Sequence, residues 1–320
     1  MNCLEILQYR SLARGPRLIV LGAVHGNETC GVAAIRRIAG EIAAGQLSIV
    51  RGTLTLVPIA NPVAHALGRR EGDRNLNRDF REVVSPETAE DRIANHLAPL
   101  LAAHDALLDL HSFASQGEPF VFVGPSDNHD ELEPFAHAAR EQALASVLGP
   151  RRIVHGWMPA FAAGVAARRA RGTTGTTGTA INDSVAYGVG TTEYMRSRGG
   201  WAVTLECGNH ADPAAPEVAY QAIRRALAHL GLIEAPAPAS SGPKEVIELH
   251  EVHDRRDPAD AFARTWRSFD RVAAGEPIGQ RASGEVIAAP VDGYVVFPNP
   301  NALPGREWFY LARPSARFVP

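Results

Sequence analysis

Cysteine is scarce in this chain: Cys3, Cys30 and Cys207 are spread over 320 residues with no C-x-x-C spacing. That excludes a disulfide framework and a cysteine zinc site, and it fits a reducing cytoplasm. Charge of one sign is lacking too, since the formal net charge is −3 with basic and acidic residues almost balanced. Neither nucleic acid nor an anionic membrane is expected as a partner on that footing. No apolar run approaches the roughly 18–20 residues that span a bilayer, and the opening Met-Asn-Cys-Leu-Glu-Ile lacks the basic-then-apolar pattern of a signal peptide. A cytosolic protein is the expectation.

What the chain does have is 45% hydrophobic content over a length that supports one large domain and a smaller one. RLIVLGAV, from Arg17 to Val24, reads as a strand buried on both faces and runs straight into His25. Gly26 and Asn27 permit a turn, and a helix follows through Val32, Ala33, Ile35 and Ile38. A second buried strand covers Thr53–Ala60 and stops at Asn61-Pro62, before a charged loop from Gly68 to Glu82. Ser85-Pro86-Glu87 predicts a helix start, with Ser85 as cap and a helix toward His104. Strands follow at Ala106–His111, Phe120–Gly124 and Trp201–Glu206, with helices over Glu131–Leu148 and Pro216–Leu230.

This alternation predicts an α/β layer structure with a largely parallel sheet and ligands at the carboxyl ends of its strands. RGTTGTTGTA (Arg171–Ala180) reads as a mobile Gly/Thr-rich loop. EAPAPASSGPK (234–244) has linker composition, so the expected division is a catalytic α/β domain over 1–233, a linker over 234–244 and a small β-rich domain over 245–320. Asp292-Gly293 is a hairpin signal in that last part.

Candidate chemistry collects at the strand ends. His25 and Glu28, three residues apart in HGNE, could turn toward one cation, because zinc accepts imidazole nitrogen and carboxylate oxygen and a catalytic site keeps three protein ligands with room for water. Alone, an H-x-x-E is equally an exposed loop pair or a helix-start carboxylate. His111, delivered by ALLDLH, is the candidate third ligand, with Asp109 two residues earlier as its supporting partner; a satisfied histidine at a strand end is the bland alternative. Glu206 closes WAVTLE and could take a proton from metal-bound water, or else serve a structural ion pair. GRREGDRNLNRDF concentrates Arg69, Arg70, Arg74, Asn77 and Arg78, suited to a carboxylate or a developing oxyanion, though charge runs are usually solvated. The interleaved Glu71, Asp73 and Asp79 argue against nucleic acid. His65, His104, His129, His155, His210, His250 and His253 read as surface or structural.

The order of the motifs carries more than any one of them. HGNE, then NPVAHALGRREGDRNLNRDF, then LDLH, then TLECG resembles the succinylglutamate desuccinylase/aspartoacylase family, over most of the chain. The resemblance implies a zinc-carboxypeptidase-like fold, a mixed eight-stranded β-sheet flanked by helices, with a small C-terminal β domain. It implies one Zn2+ per chain on His25, Glu28 and His111, Glu206 as general base, and Arg70 polarising the scissile carbonyl. Asn77 and Arg78 would grip a substrate carboxylate, Arg196 is a further substrate-binding arginine, and Asn75 stands where the family has Asp. Tyr310 falls where the family places a substrate-contacting tyrosine, but the segment does not align. The implied activity is hydrolysis of the amide of a small carboxylate-bearing N-acyl amino acid, of N-succinylglutamate or N-acetylaspartate type. A metallocarboxypeptidase for small peptides and a non-catalytic zinc or carboxylate-binding module are the alternatives. Self-association into a homo-oligomer is left open.

Overall fold

The computed structural model describes residues 3–130, 132–172, 184–240, 242 and 244–317. The chain forms two compact units, the first built from residues 1–112, 119–153 and 189–244 and the second from 113–118, 154–188 and 245–320. The expected contiguous division is therefore not what packs together: residues 113–118 and 154–188 join the C-terminal part. The stretch 171–180, read as a mobile loop, falls outside the described residues except for Arg171 and Gly172.

In the first unit the strands are β1 (Leu7–Arg10), β2 (Arg17–Gly22), β3 (Thr53–Val57), β4 (Ala106–Phe113), β5 (Phe120–Phe122), β6 (Arg152–His155, where the chain passes to the second unit) and β7 (Trp201–Asn209). They lie in the order β1-β3-β2-β4-β7-β5-β6. Leu18 to Leu21 are wholly buried, as a central parallel strand requires, and β2 pairs in parallel with both β3 and β4. The sheet is mixed rather than largely parallel. β1 runs antiparallel to β3 and β5 antiparallel to β7. The link from β4 to β5, residues 114–119, contains no helix, and a parallel return needs a crossover of a dozen residues or more.

The flanking helices are α1 (Cys30–Ala43), α2 (Pro62–Ala66), α3 (Ala89–Ala102), α4 (Ala138–Val147), α5 (Trp157–Ala170, in the second unit), α6 (Thr191–Ser197) and α7 (Ala215–His229). Ile93, Leu97 and Leu101 of α3 and Tyr194 and Met195 of α6 join Ile19 and Leu21 in one core, each fully buried aliphatic side chain contributing about 1.5–3 kcal/mol. α1 and α7 pack on each other, and α1 buries Val32, Ala34, Ile35 and Ile38. The start of α3 is Thr88 rather than Ser85, because Thr88 and Asp91 form a reciprocal capping box, satisfying two otherwise orphaned backbone donors. α4 begins at Ala138, seven residues later than expected; Pro134 disfavours helix before it, and Asp127 accepts from the Ala138 N–H at 2.8 Å.

The second unit contains β8 (Glu245–Asp254), β9 (Ala261–Phe262), β10 (Asp270–Val272), β11 (Pro277–Gln280), β12 (Val286–Ala288), β13 (Gly293–Val296) and β14 (Glu307–Pro314). β8, β14, β13 and β10 are sheet neighbours in that order, while β12, β11 and β9 form a separate three-stranded sheet. The Asp292-Gly293 hairpin does not form, since β12 pairs with β11 and β13 with β10 and β14. Asp292 instead accepts from the Ala274 N–H at 2.8 Å. Trp266, Ile278, Val295, Trp308 and Phe309 make the core of this unit.

Candidate metal centre and its surroundings

Strand register brings the distant motifs together. Gly22 of β2 pairs with Leu110 of β4, so the residues just past β2 are level with His111. Ala23 then takes φ 47°, a left-handed conformation that costs a residue with a Cβ about 1 kcal/mol or more. It is held there by the Asn61 N–H on the Ala23 carbonyl at 3.0 Å and the Ala60 N–H on the Gly22 carbonyl at 2.8 Å. The turn continues through Gly26, where a Cβ would stand 2.1 Å from the Ala64 backbone, so only glycine lets HGNE lie against α2.

His25, Glu28 and His111 converge with ligand atoms all within 4.8 Å of one another. His25 Nδ1 is 2.8 Å from Glu28 Oε1, His111 Nδ1 is 2.9 Å from Glu28 Oε2, and the two Nδ1 atoms are 3.2 Å apart. Each ring is fixed from behind: His25 Nε2 lies 3.1 Å from Asn75 Oδ1 and His111 Nε2 lies 3.0 Å from Asp109 Oδ2. Asp109 in turn accepts a short hydrogen bond from the Thr191 hydroxyl. Such partners set the tautomer of a metal-binding histidine and aim its other nitrogen. All three side chains are at most 4% exposed.

The charges fit a cation. Burial and the nearby Arg70 push His25 down to about 4, against the pull of Glu28. Burial alone would raise Glu28, yet the two imidazoles hold it well below its usual range. Burial opposes His111 as well, but Asp109 and Glu28 carry it well above the ordinary histidine value. Two buried carboxylates, Asp109 and Glu28, thus flank His111, and the ligand atoms of three side chains converge on a space that a divalent ion of tetrahedral N/O preference would fill. Glu206 adds to the fit. It sits on β7 opposite Phe120, its Oε2 is buried with no partner among the described residues, and burial pushes it up to about 8, with His111 and Arg70 lowering it and Glu28 and Cys30 raising it.

Arg70 donates to Glu28 Oε1 at 3.2 Å with about half of its side chain exposed (47%), so its guanidinium borders the cluster. Asn77 accepts from the Thr191 N–H at 2.9 Å and donates its own N–H to Asn75 Oδ1 at 2.9 Å. Arg78 is buried, with Nη1 on the Asn77 carbonyl at 2.9 Å. Arg196 is not brought to this group. Its nitrogens reach Glu141 and Glu133 at 2.7 Å, Glu193 at 3.2 Å and the Ala202 carbonyl at 2.9 Å. Ala202 precedes Glu206 by four residues on β7, about 13 Å along a strand. Arg196 is therefore the centre of a buried ion-pair network. Tyr310 belongs to the second unit, its ring 5.7 Å from that of Trp157.

Two residues went unread in the sequence. Glu90, wholly buried on α3, accepts from the N–H groups of Gly72, Asp73 and Arg74 at 2.8, 3.1 and 3.3 Å and from the Asn61 amide at 3.1 Å. It shapes the arginine loop, which Leu76 and Phe80 anchor in the core. Its only sequence signal was a carboxylate in a first helical turn, two residues after a Thr. His210, treated as structural, has Nδ1 2.8 Å from Ser112 Oγ, beside His111.

The chain has relatives among known proteins. Residues 14–167 match the family model described as succinylglutamate desuccinylase/aspartoacylase catalytic domain. A 102-residue stretch is 32% identical to N-alpha-acetyl-L-2,4-diaminobutyric acid deacetylase of Halomonas elongata, covering 31% of this chain and 29% of that protein. A 109-residue stretch is 38% identical to N-acyl-aromatic-L-amino acid amidohydrolase (carboxylate-forming) of Rattus norvegicus, covering 30% and 33%. The chain thus matches about a third of the length of either relative. Among solved structures, succinylglutamate desuccinylase/aspartoacylase from Rhodobacter sphaeroides superposes with a TM-score of 0.69 at 19% identity over 98% of this chain and 90% of that one. The product-bound ectoine utilization protein EutE (DoeB) from Ruegeria pomeroyi gives 0.70 at 19% identity over 96% and 88%. Residues 14–167 thus match the catalytic domain of the succinylglutamate desuccinylase/aspartoacylase family, and the chain shares the fold of these solved structures.

Proposed function

We propose that this protein is a zinc-dependent amidohydrolase that splits a small, carboxylate-bearing N-acyl amino acid into a carboxylic acid and a free amino acid. The observation that carries the reading is the convergence of His25, Glu28 and His111, each imidazole braced from behind by Asn75 or Asp109. The names of the two relatives, a deacetylase and an amidohydrolase, support the same class. One Zn2+ per chain on these three residues would supply Lewis acidity and bring the pKa of a bound water toward about 7.

The chain's own residues do the rest. Glu206, buried and with an unpartnered oxygen, accepts the proton of the attacking water and returns it to the leaving amine nitrogen. Arg70 donates to the carbonyl oxygen as negative charge develops there. Asn77 and Arg78 bind the carboxylate that distinguishes the substrate, and the loop carrying them is fixed by Glu90. The compartment proposed is the reducing cytosol, supported by three free cysteines. No described helix is long and apolar enough to cross a membrane.

The test is metal content by plasma emission, paired with hydrolysis of a panel of N-acetyl and N-succinyl amino acids by wild type and Glu206→Ala. Zinc bound by both proteins, with turnover of one panel member only by wild type, is the expected outcome. A chain that holds no metal after reconstitution, or a Glu206→Ala variant as active as wild type, would sink the reading.

A further inference from the structure

β7 delivers more than Glu206 to this edge of the sheet. Gly208, near the end of the strand, has φ 109°, a value that a side chain opposes, and the chain bends there before reaching His210. The His210 ring comes to rest with Nδ1 2.8 Å from Ser112 Oγ. Ser112 is the residue after His111, and its own N–H donates to Glu28 Oε2 at 3.0 Å. The ring is half-buried, close enough to Glu28, Arg70 and His111 that all three act on it electrostatically. His104, for contrast, has both nitrogens engaged inside the fold, on Thr55 and the Leu100 carbonyl. His210 Nε2 has no partner among the described residues.

We propose that His210 is a further residue of the reaction pocket, a specificity-determining donor whose Nε2–H binds an oxygen of the acyl substrate. In the tautomer proposed, the Ser112 hydroxyl donates to Nδ1 at 2.8 Å, so that the proton of the neutral ring lies on Nε2. A neutral donor next to Arg70 favours a carbonyl or carboxylate oxygen over an ammonium or an aliphatic group. The inference rests on the proposed amide hydrolysis for the identity of the ligand, and on the geometry alone for the existence of the donor.

The experiment uses the full chain loaded with cobalt in place of zinc, so that the metal's visible bands report binding of acetohydroxamate, a small acyl mimic. Wild type, His210→Ala, His210→Gln and Ser112→Ala are compared for metal content, melting temperature and acetohydroxamate affinity, and for kcat and KM on the N-acyl panel. His210→Ala is expected to keep its metal and melting temperature and to bind the probe about tenfold more weakly. Gln, which places an amide N–H near the Nε2 position, recovers most of that loss, and Ser112→Ala shows part of it. Probe binding by His210→Ala equal to wild type overturns the proposal, as does a Gln variant no better than Ala, a loss of metal, or a wild type that binds no probe. If wild type hydrolyses nothing on the panel while the probe series behaves as expected, the proposed hydrolysis fails and the His210 donor stands.

Discussion

Replacing Glu90 by Gln tests whether the arginine loop is held by a single buried carboxylate. Oε1 accepts from Gly72 N at 2.8 Å and Asn61 Nδ2 at 3.1 Å, and Oε2 from Asp73 N at 3.1 Å and Arg74 N at 3.3 Å. An amide of the same shape has one oxygen, so its NH2 must face two N–H donors whichever way it is turned. The least damaging orientation gives up the bonds from Asp73 and Arg74. Hydrogen bonds to a charged group contribute about 1.5–3 kcal/mol each, and the stranded donors stay desolvated. The variant is therefore expected to lose about 3–5 kcal/mol of stability. The loss should reach the metal centre, because Asn75, which braces His25, follows Arg74 directly, and loss of such a brace weakens metal binding by about 10- to 100-fold. Thermal unfolding and chelator competition for zinc read the two effects. A Glu90→Gln protein within about 0.5 kcal/mol of wild type and with unchanged zinc affinity would refute the reasoning.

Asn75→Ala removes the acceptor for His25 Nε2 and should lower zinc affinity by about 10- to 100-fold with little change in melting temperature, again by chelator competition. Arg196→Met strands Glu133, Glu141 and Glu193 in the interior and should cost about 3–5 kcal/mol. Chemical denaturation reads that loss, and a specific rise in KM without destabilisation would restore Arg196 as a substrate arginine. Acid should weaken the fold in a defined window. Burial would raise Asp91, but the Thr88 backbone and Arg74 hold it at about 2, and Asp260 is likewise held at about 2 by the Arg256 N–H and Arg281 against its burial. Both lie below their ordinary 3.8, so the stability they add is complete above that value and disappears as pH falls from 3.8 toward 2. Unfolding followed from pH 6 to 2 should therefore steepen below about 4, and Asp91→Asn should flatten part of that slope.

Much of the site was legible because its chemistry is carried by residues at the ends of apolar runs. RLIVLGAV and ALLDLH could only be buried strands, and each hands a histidine to the same edge once the two strands run parallel. The capping of α3 at Thr88, the antiparallel course of β5 and the failed hairpin at Asp292-Gly293 went unread. The first two rest on local features, the Thr88–Asp91 capping box and the short link before β5, and the third on which partner each strand found. Arg196 shows the limit most clearly. Its spacing from Glu206 suggested a role at the site, but Arg196 lies on α6 and Glu206 on β7, so spacing in the sequence does not fix where the side chain goes. The guanidinium turns to Glu133, Glu141 and Glu193 at the opposite end of β7, where the buried carboxylates need it.

The sequence by itself determined the fold class, the resemblance to the succinylglutamate desuccinylase/aspartoacylase family and the three candidate metal ligands, since hydrophobic period and ordered motifs are local properties that survive without coordinates. Tertiary structure alone decided that Asn75 braces the His25 imidazole, that Glu90 shapes the arginine loop, that residues 113–118 and 154–188 pack in the second unit, and that His210 lies on Ser112. The side-chain contacts among them join residues 18 to 98 positions apart. Burial makes an unmet polar group costly, and only the packed chain reveals which partner meets it.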